Sequence, residues 1–216
     1  IREMDGAYDK TRWQALAELG FLALAAAEDQ GGMGGSLTDL VVIAEALGQG
    51  NAVDPWLENG VLSAKLLAAA GTDDMLDSVL DGSQIVTTAF AEPNGRFNLT
   101  PQTTIATKSG ADYVISGEKR FVLNGMIADH YLVTCNCDGE MSMFLVPSNA
   151  EGLHKRGYRL TDGSMAAEIQ LLNVNIPASA KLDIDAAKFA EVVSEIRLLA
   201  CAEMVGLAQQ LFDDTV

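Results

Sequence analysis

Two periodicities divide the chain. Over roughly residues 1–82, apolar positions recur at helical spacing and each run ends in helix punctuation. Trp13, Leu16, Ala17 and Leu19 form one stripe behind a capping Asp9 and ahead of Gly20. Leu40, Val41, Ala44 and Leu47 follow Ser36, whose partner Asp39 is spaced as in a capping box, with Gly48 as the expected stop. Asp54-Pro55 reads as N-cap and first helical residue before Val61, Leu62, Leu66 and Ala69, and Gly71 closes that run. Thr72-Asp73-Asp74 opens a last helix with acids at its positive end and Met75, Leu76, Val79 and Leu80 beneath. Short amphipathic helices cannot each bury an apolar face alone, so these predict a bundle.

From Gln84 the period becomes two. Strands are predicted over Ile85–Phe90, Thr103–Lys108, Tyr113–Ser116, Lys119–Leu123, Tyr131–Asn136, Met141–Val146 and Ala167–Ile176. Ser109-Gly110-Ala111-Asp112 is one turn, Gly117 a second, and Asp138-Gly139 a type I′ hairpin, which needs positive φ at both central residues. Strands this closely spaced, with no helix between them, predict an antiparallel sandwich or barrel; a parallel nucleotide fold would need crossover helices. Helical spacing returns at Asp185, with Phe189, Val192, Val193, Ile196, Leu199 and Ala200 on the apolar side. The fold class is therefore α+β. The expected units are an N-terminal helical domain (1–82), a central β domain (83–183), and the first helix of a truncated C-terminal helical bundle (184–216), with no evident partner of its own.

Composition excludes several functions. Among 216 residues, 14 Lys and Arg face 30 Asp and Glu, a net charge of −16, which disfavours nucleic acid and anionic membrane surfaces alike. The apolar run 13–27 is interrupted by Glu18 and ended by Glu28-Asp29, too short to span a membrane. The opening Ile1-Arg2-Glu3-Met4-Asp5 is charged and does not read as a signal peptide; without an initiator Met, a start inside a longer chain is expected. Cys135, Cys137 and Cys201 are an odd set. The first two share one strand face, which suits reduced thiols used as small apolar residues in a cytoplasmic protein. Gly31-Gly32-Met33-Gly34-Gly35 follows a helix and reads as a flexible connector, not a phosphate cradle. No nucleophile elbow or P-loop is present, and His130 and His154 are isolated, so no metal site is expected.

The order of the blocks, with several local stretches, resembles the acyl-CoA dehydrogenases. Trp13–Phe21 resembles that family's first recognisable helix, and Gln30–Gly34 the glycine-rich loop before its Glu45-Ala46-Leu47-Gly48 helix. Ala91-Glu92-Pro93 stands where the family has Thr-Glu-Pro, and Gly117-Glu118-Lys119 with Phe121–Gly125 resembles its Gly-Glu-Lys, aromatic-Ile-Thr-Asn segment. Asn173–Pro177 resembles the end of its β domain, and Arg197 with Gly206-Leu207-Ala208-Gln209 the opening of its last helical domain. Phe90–Leu99 and Leu160–Glu168 most resemble the small subunit of heteromeric, pimeloyl-CoA-type dehydrogenases.

The resemblance implies FAD-dependent oxidation of an acyl-CoA thioester to the 2,3-enoyl-CoA, in a homo- or heterotetramer that passes electrons to electron-transfer flavoprotein. It implies that Phe90, Ala91 and Glu92 border the pyrimidine side of the flavin, and that Phe121, Val122 and Leu123 border its ring. It places the family's catalytic glutamate beyond Val216, so no catalytic residue is assigned here; Glu92 belongs to the turn, and Glu195 and Glu203 are expected to be solvated or to pack. Departures are informative. Ala91 and Leu123 stand where the family has threonine, and Gly95-Arg96-Phe97 replaces Gly-Ser-Asp. That leaves a redox-incompetent partner subunit as the alternative. Arg96 and Arg197 are candidate substrate contacts: a guanidinium fork suits a phosphate or a second carboxylate, against a plain surface arginine for Arg96 and a helix-anchoring ion pair for Arg197.

Overall fold

A computed structural model describes residues 8–96 and 98–216. The charged opening Ile1–Asp5 and Phe97 lie outside the described residues. Helix α1 (Lys10–Glu18) starts where the sequence places it, with the Asp9 carboxylate accepting from the Thr11 and Arg12 amides. Helix α2 (Leu37–Gln49) starts with the expected capping box, Asp39 N–H donating to Ser36 Oγ at 3.3 Å and Ser36 N–H to Asp39 Oδ2 at 2.8 Å. The glycine-rich loop before α2 is no flexible connector. The amides of Gly32, Met33, Gly34 and Gly35 donate to carbonyls of Ala27, Ala23, Ala26 and Leu24, which pins the loop and leaves these N–H groups unavailable to a phosphate.

The third predicted helix is two kinds of helix. Trp56–Ser63 winds as a π-helix and continues into α3 (Ala64–Ala70), before α4 (Asp73–Leu80). Asp54 does not cap it; its carboxylate pairs instead with Arg12 at 2.9 Å. Side-chain bonds support the wide winding: Ser63 Oγ donates to the Glu58 carbonyl at 2.9 Å, and Trp56 Nε1 to the Phe21 carbonyl at 2.9 Å. Asn59 Oδ1 accepts from the Val86 amide at 2.6 Å, which ties this segment to the first strand.

Among the described residues eight strands follow: β1 (Val86–Ala89), β2 (Ile105–Ser109), β3 (Asp112–Leu123), β4 (His130–Cys137), β5 (Glu140–Pro147), β6 (Leu153–Arg159), β7 (Met165–Ile176) and β8 (Lys181–Leu182). Their order is β6-β7-β3-β2-β4-β5-β8, with β1 paired to β4. The hairpin at Asp138-Gly139 is as expected, with φ of 54° and 91°. Three expectations need correction. The sheet is mixed, because β4 runs parallel to both β1 and β2; the β2–β3 hairpin supplies the long connection that a parallel pair needs, in place of a helix. Gly117 makes no turn. It lies inside β3 at a register shift, where any Cβ would collide with Thr104. Strands β6 and β8, which the alternation did not mark, complete the two edges.

The last helix, α5 (Ala186–Asp213), does have a partner. Phe189, Val192 and Val193 join α3, α4 and one sheet face in a common core, and Leu199 joins the core of Trp13, Leu40 and Trp56. Gly48 is not a helix stop but a contact point. A Cβ on Gly48 would collide with the Glu203 carbonyl, and one on Gly206 with the Glu45 carbonyl, so the two glycines let α2 and α5 cross at backbone contact. Among the described residues no helix is long and apolar enough to cross a membrane.

Candidate functional site

A second register shift in β3, between Lys119 and Val122, decides where its side chains go. Lys119 and Val122 both turn inward, three positions apart, while Phe121 adopts a φ of 55° and stands 57% exposed. Lys119 is fully buried. Its ammonium donates to Glu92 Oε1 at 3.0 Å, Thr134 Oγ1 at 3.2 Å and the Phe90 carbonyl at 3.2 Å. Glu92 is saturated from the other side, Oε2 accepting from the amides of Gln102 and Thr103, each at 2.8 Å, and Oε1 from the amide of Thr104 at 2.9 Å. Burial opposes ionisation, yet the Thr103 and Gln102 amides and the Lys119 charge outweigh it and bring Glu92 down to about 2. Burial also draws Lys119 down, with Glu92 opposing.

This buried pair joins the two segments singled out in the sequence. Residues 90–92 and 121–123 are also stitched by Arg120 N–H to the Ala91 carbonyl at 2.8 Å, and Thr87 Oγ1 donates to the Leu123 carbonyl at 2.8 Å. Phe90 is half-buried, edge-on to Phe189 at 5.7 Å. Val122 lies within the sheet core and Glu92 beneath the turn, so their side chains shape the surface from below; Phe90, Phe121 and Leu123 reach it.

Leu123 and Asn124 open on a cavity of about 360 Å³ between the sheet, α2, the π-helix and α5. Its walls are apolar, from Leu47, Trp56, Leu57, Leu123, Met204 and Leu207. Four carboxylates also line it: Asp54, Glu58, Asp162 and Glu203, and among the described residues no Lys, Arg or His does. Asn124, held at a φ of 57°, donates from Nδ2 to Glu58 Oε2 at 3.3 Å. Burial pushes Glu58 up to about 7 against the pull of its own amide, and Glu203 and Asp162 add to the rise. Glu203 is raised as well, by burial and then by Asp162.

The remaining candidates are elsewhere. Arg96 lies exposed in the turn after Pro93 with a φ of 49°, and Arg197 is exposed on α5; neither lines the cavity. No ion pair of Arg197 is found among the described residues, whereas Glu195 pairs with Lys65 at 2.8 Å. Cys135 and Cys137 are buried free thiols, and burial pushes Cys135 up to about 12. No cluster of metal-ligating side chains is found among the described residues. In the sequence Asn124 and Asp162 stand out only within the stretches Phe121–Gly125 and Leu160–Glu168, Asp54 reads as a cap, Glu203 as solvated or packing, and Glu58 is unmarked. The available signal was a lone acid inside the apolar stretches Trp56–Leu62 and Leu198–Leu207.

Comparison with known proteins bears on these features. Residues 1–83 match the model of the acyl-CoA dehydrogenase N-terminal domain, and residues 87–174 that of the middle domain. The chain is 27% identical to the mitochondrial long-chain specific acyl-CoA dehydrogenase of Rattus norvegicus, over 99% of this chain and 54% of that protein. In structure it resembles the ChsE4–ChsE5 complex from Mycobacterium tuberculosis, with a TM-score of 0.86, 24% identity, and coverage of 97% of this chain and 57% of that one. It also resembles a glutaryl-CoA dehydrogenase from Mycobacterium smegmatis in complex with FADH2, with a TM-score of 0.86, 22% identity, and coverage of 95% and 56%. The chain spans about half the length of the curated relatives it matches.

Proposed function

The chain carries the N-terminal and middle domains of the acyl-CoA dehydrogenase family, and from that premise we propose that it works within an FAD-dependent enzyme that oxidises an acyl-CoA thioester to the 2,3-enoyl-CoA. The observation that supports this best is the junction of an exposed aromatic surface with an apolar cavity, both reached by the segment Phe121–Asn124. A flavin needs a flat apolar platform and hydrogen-bond donors along its edge. Phe121 and Phe90 offer the platform; Ala91 and Leu123 have no side-chain donor, so edge contacts fall to backbone N–H groups. The residues fit the ring face. In this reading Phe90, Ala91, Phe121 and Leu123 hold the flavin, and Glu92 and Val122 fix the backbone beneath them.

Held at that face, FAD would supply the electron sink for the β-hydrogen. The chain's own part is to seat the acyl portion in the cavity between α2, the π-helix and α5 and to keep water from it. We assign none of its carboxylates as the base for the α-proton. Arg96 and Arg197, exposed outside the cavity, are proposed to meet the charged part of the CoA thioester. The assembly is proposed to be a homo- or heterotetramer with electron-transfer flavoprotein as acceptor. The two missing threonine hydroxyls favour a second reading, a redox-incompetent structural or partner subunit of a heteromeric acyl-CoA dehydrogenase.

The test is purification of the full-length protein with whatever chain accompanies it, followed by titration with acyl-CoA. A flavin visible band that bleaches, with enoyl-CoA formed, is the expected outcome. Co-purification of a second chain with no flavin band selects the second reading, and neither a flavin band nor a second chain refutes both.

A further inference from the structure

The cavity is built to discriminate, and the acids that line it arrive from separate elements. Asp54 comes from the segment after α2, Glu58 from the π-helix, Asp162 from the β6–β7 loop and Glu203 from α5. At about 360 Å³ it lies near the lower end of small-molecule pockets, room for an acyl chain but not for a whole CoA thioester. We propose that this cavity seats the distal end of the acyl chain and selects uncharged ends while rejecting those that finish in a carboxylate. The proposal rests on the acyl-thioester reading above and names the substrate class that reading leaves open.

The physical case is one of missing compensation. A carboxylate entering here loses its water and finds no cation among the described lining residues. Arg12, which reaches the Asp54 carboxylate at 2.9 Å, is already paired with it. The Asn124 amide already gives one N–H to Glu58, and the other is a neutral donor that cannot by itself offset the charge of a desolvated carboxylate. Glu203 and Asp162 add to the cost of ionising Glu58, and Asp162 to that of Glu203, so a further negative charge meets the same repulsion. A methyl end loses nothing polar and gains the Leu47, Leu57 and Leu207 walls; a hydroxyl end can also donate to Glu58. The π-helix matters because its wide turn presents Glu58 to the cavity while the next residue, Asn59, holds the Val86 amide of the sheet. The dicarboxylyl preference of the small-subunit branch that the sequence most resembles is therefore not expected of this pocket.

The test is calorimetric binding to the full-length protein in its own assembly, which does not depend on flavin turnover. Two pairs matched in chain length serve as probes, hexanoyl-CoA with adipoyl-CoA and octanoyl-CoA with suberoyl-CoA, so the CoA contacts cancel. At pH 8 the monocarboxylyl member of a pair should bind about tenfold more tightly or better. Glu58→Gln and, independently, Glu203→Gln should each shrink that ratio by about threefold or more. At pH 6, where Glu58 with its value of about 7 is mostly protonated, the wild-type ratio should shrink as well. Equal affinities in wild type, a preference for the dicarboxylyl member, or a ratio that neither variant changes would overturn the proposal. Failure of all four thioesters to bind would instead overturn the acyl-thioester reading, and this inference with it.

Discussion

Glu92 and Glu58 are both carboxylates withdrawn from water, and they shift in opposite directions, to about 2 and to about 7. Glu92 meets three amide N–H groups, the Thr103 hydroxyl and the Lys119 ammonium. Glu58 meets one side-chain amide at 3.3 Å and faces two further acids across a cavity. Burial is the leading influence on both, so the partners decide the sign. The first region is complete and rigid in its bonding, and serves to hold Phe90 to Phe121 in place. The second has apolar walls and acid oxygens without enough donors, as expected of a surface shaped for something else to enter.

Breaking the complete region should cost most. Lys119→Met leaves Glu92 buried without its counter-charge, and urea unfolding should register a loss of about 3–5 kcal/mol. A loss below the range of an ordinary surface substitution would mean that the amides alone suffice. The pH dependence separates the two regions next. Glu92 has a depressed value, so its contribution is full above the ordinary 4.5 and is lost as pH falls toward 2. Glu58 has a raised value, so the folded state holds an extra proton between 4.5 and about 7, and stability falls as pH rises through that window. Glu58→Gln should therefore stabilise the protein at pH 8, by up to about 3 kcal/mol, and have little effect near pH 4.

Smaller changes sharpen the contrast. Gly206→Ala forces α5 away from the Glu45 carbonyl and should cost about 1–3 kcal/mol by thermal unfolding. Because that separation admits water to the cavity, the Glu58 value should fall toward 4.5 in a carboxyl NMR titration, while Glu92 stays low. Asn124→Gly keeps the positive φ but removes the Asn124 side-chain donor to Glu58, worth about 1 kcal/mol, and should raise Glu58 further in the same titration.

Much of the outline was readable one segment at a time. Asp9 and the Ser36–Asp39 box mark helix starts through bonds made within four residues, and Asp138-Gly139 marks a hairpin through φ angles that few other pairs tolerate. The π-helix was not readable, because Trp56–Ser63 has an ordinary helical pattern and its winding answers to Phe21 and Val86, far away in sequence. Strand β6 leaves no such mark, because His154, Lys155 and Arg156 face solvent at a sheet edge and show no alternation. Gly48 reads as a stop and Gly117 as a turn, and neither is, since a glycine needed for close approach looks the same in sequence as one needed for a bend.

By itself the sequence determined the succession of helical and strand segments, their caps and one tight hairpin, and through those stretches the resemblance to a family, because each depends on neighbours a few positions apart. Only the tertiary structure decided that Lys119 is buried on Glu92, that β4 lies parallel to β1, and that four acids from four elements converge on one apolar cavity. Those outcomes depend on desolvation and on charges brought together from distant parts of the chain, and a local pattern carries no record of either.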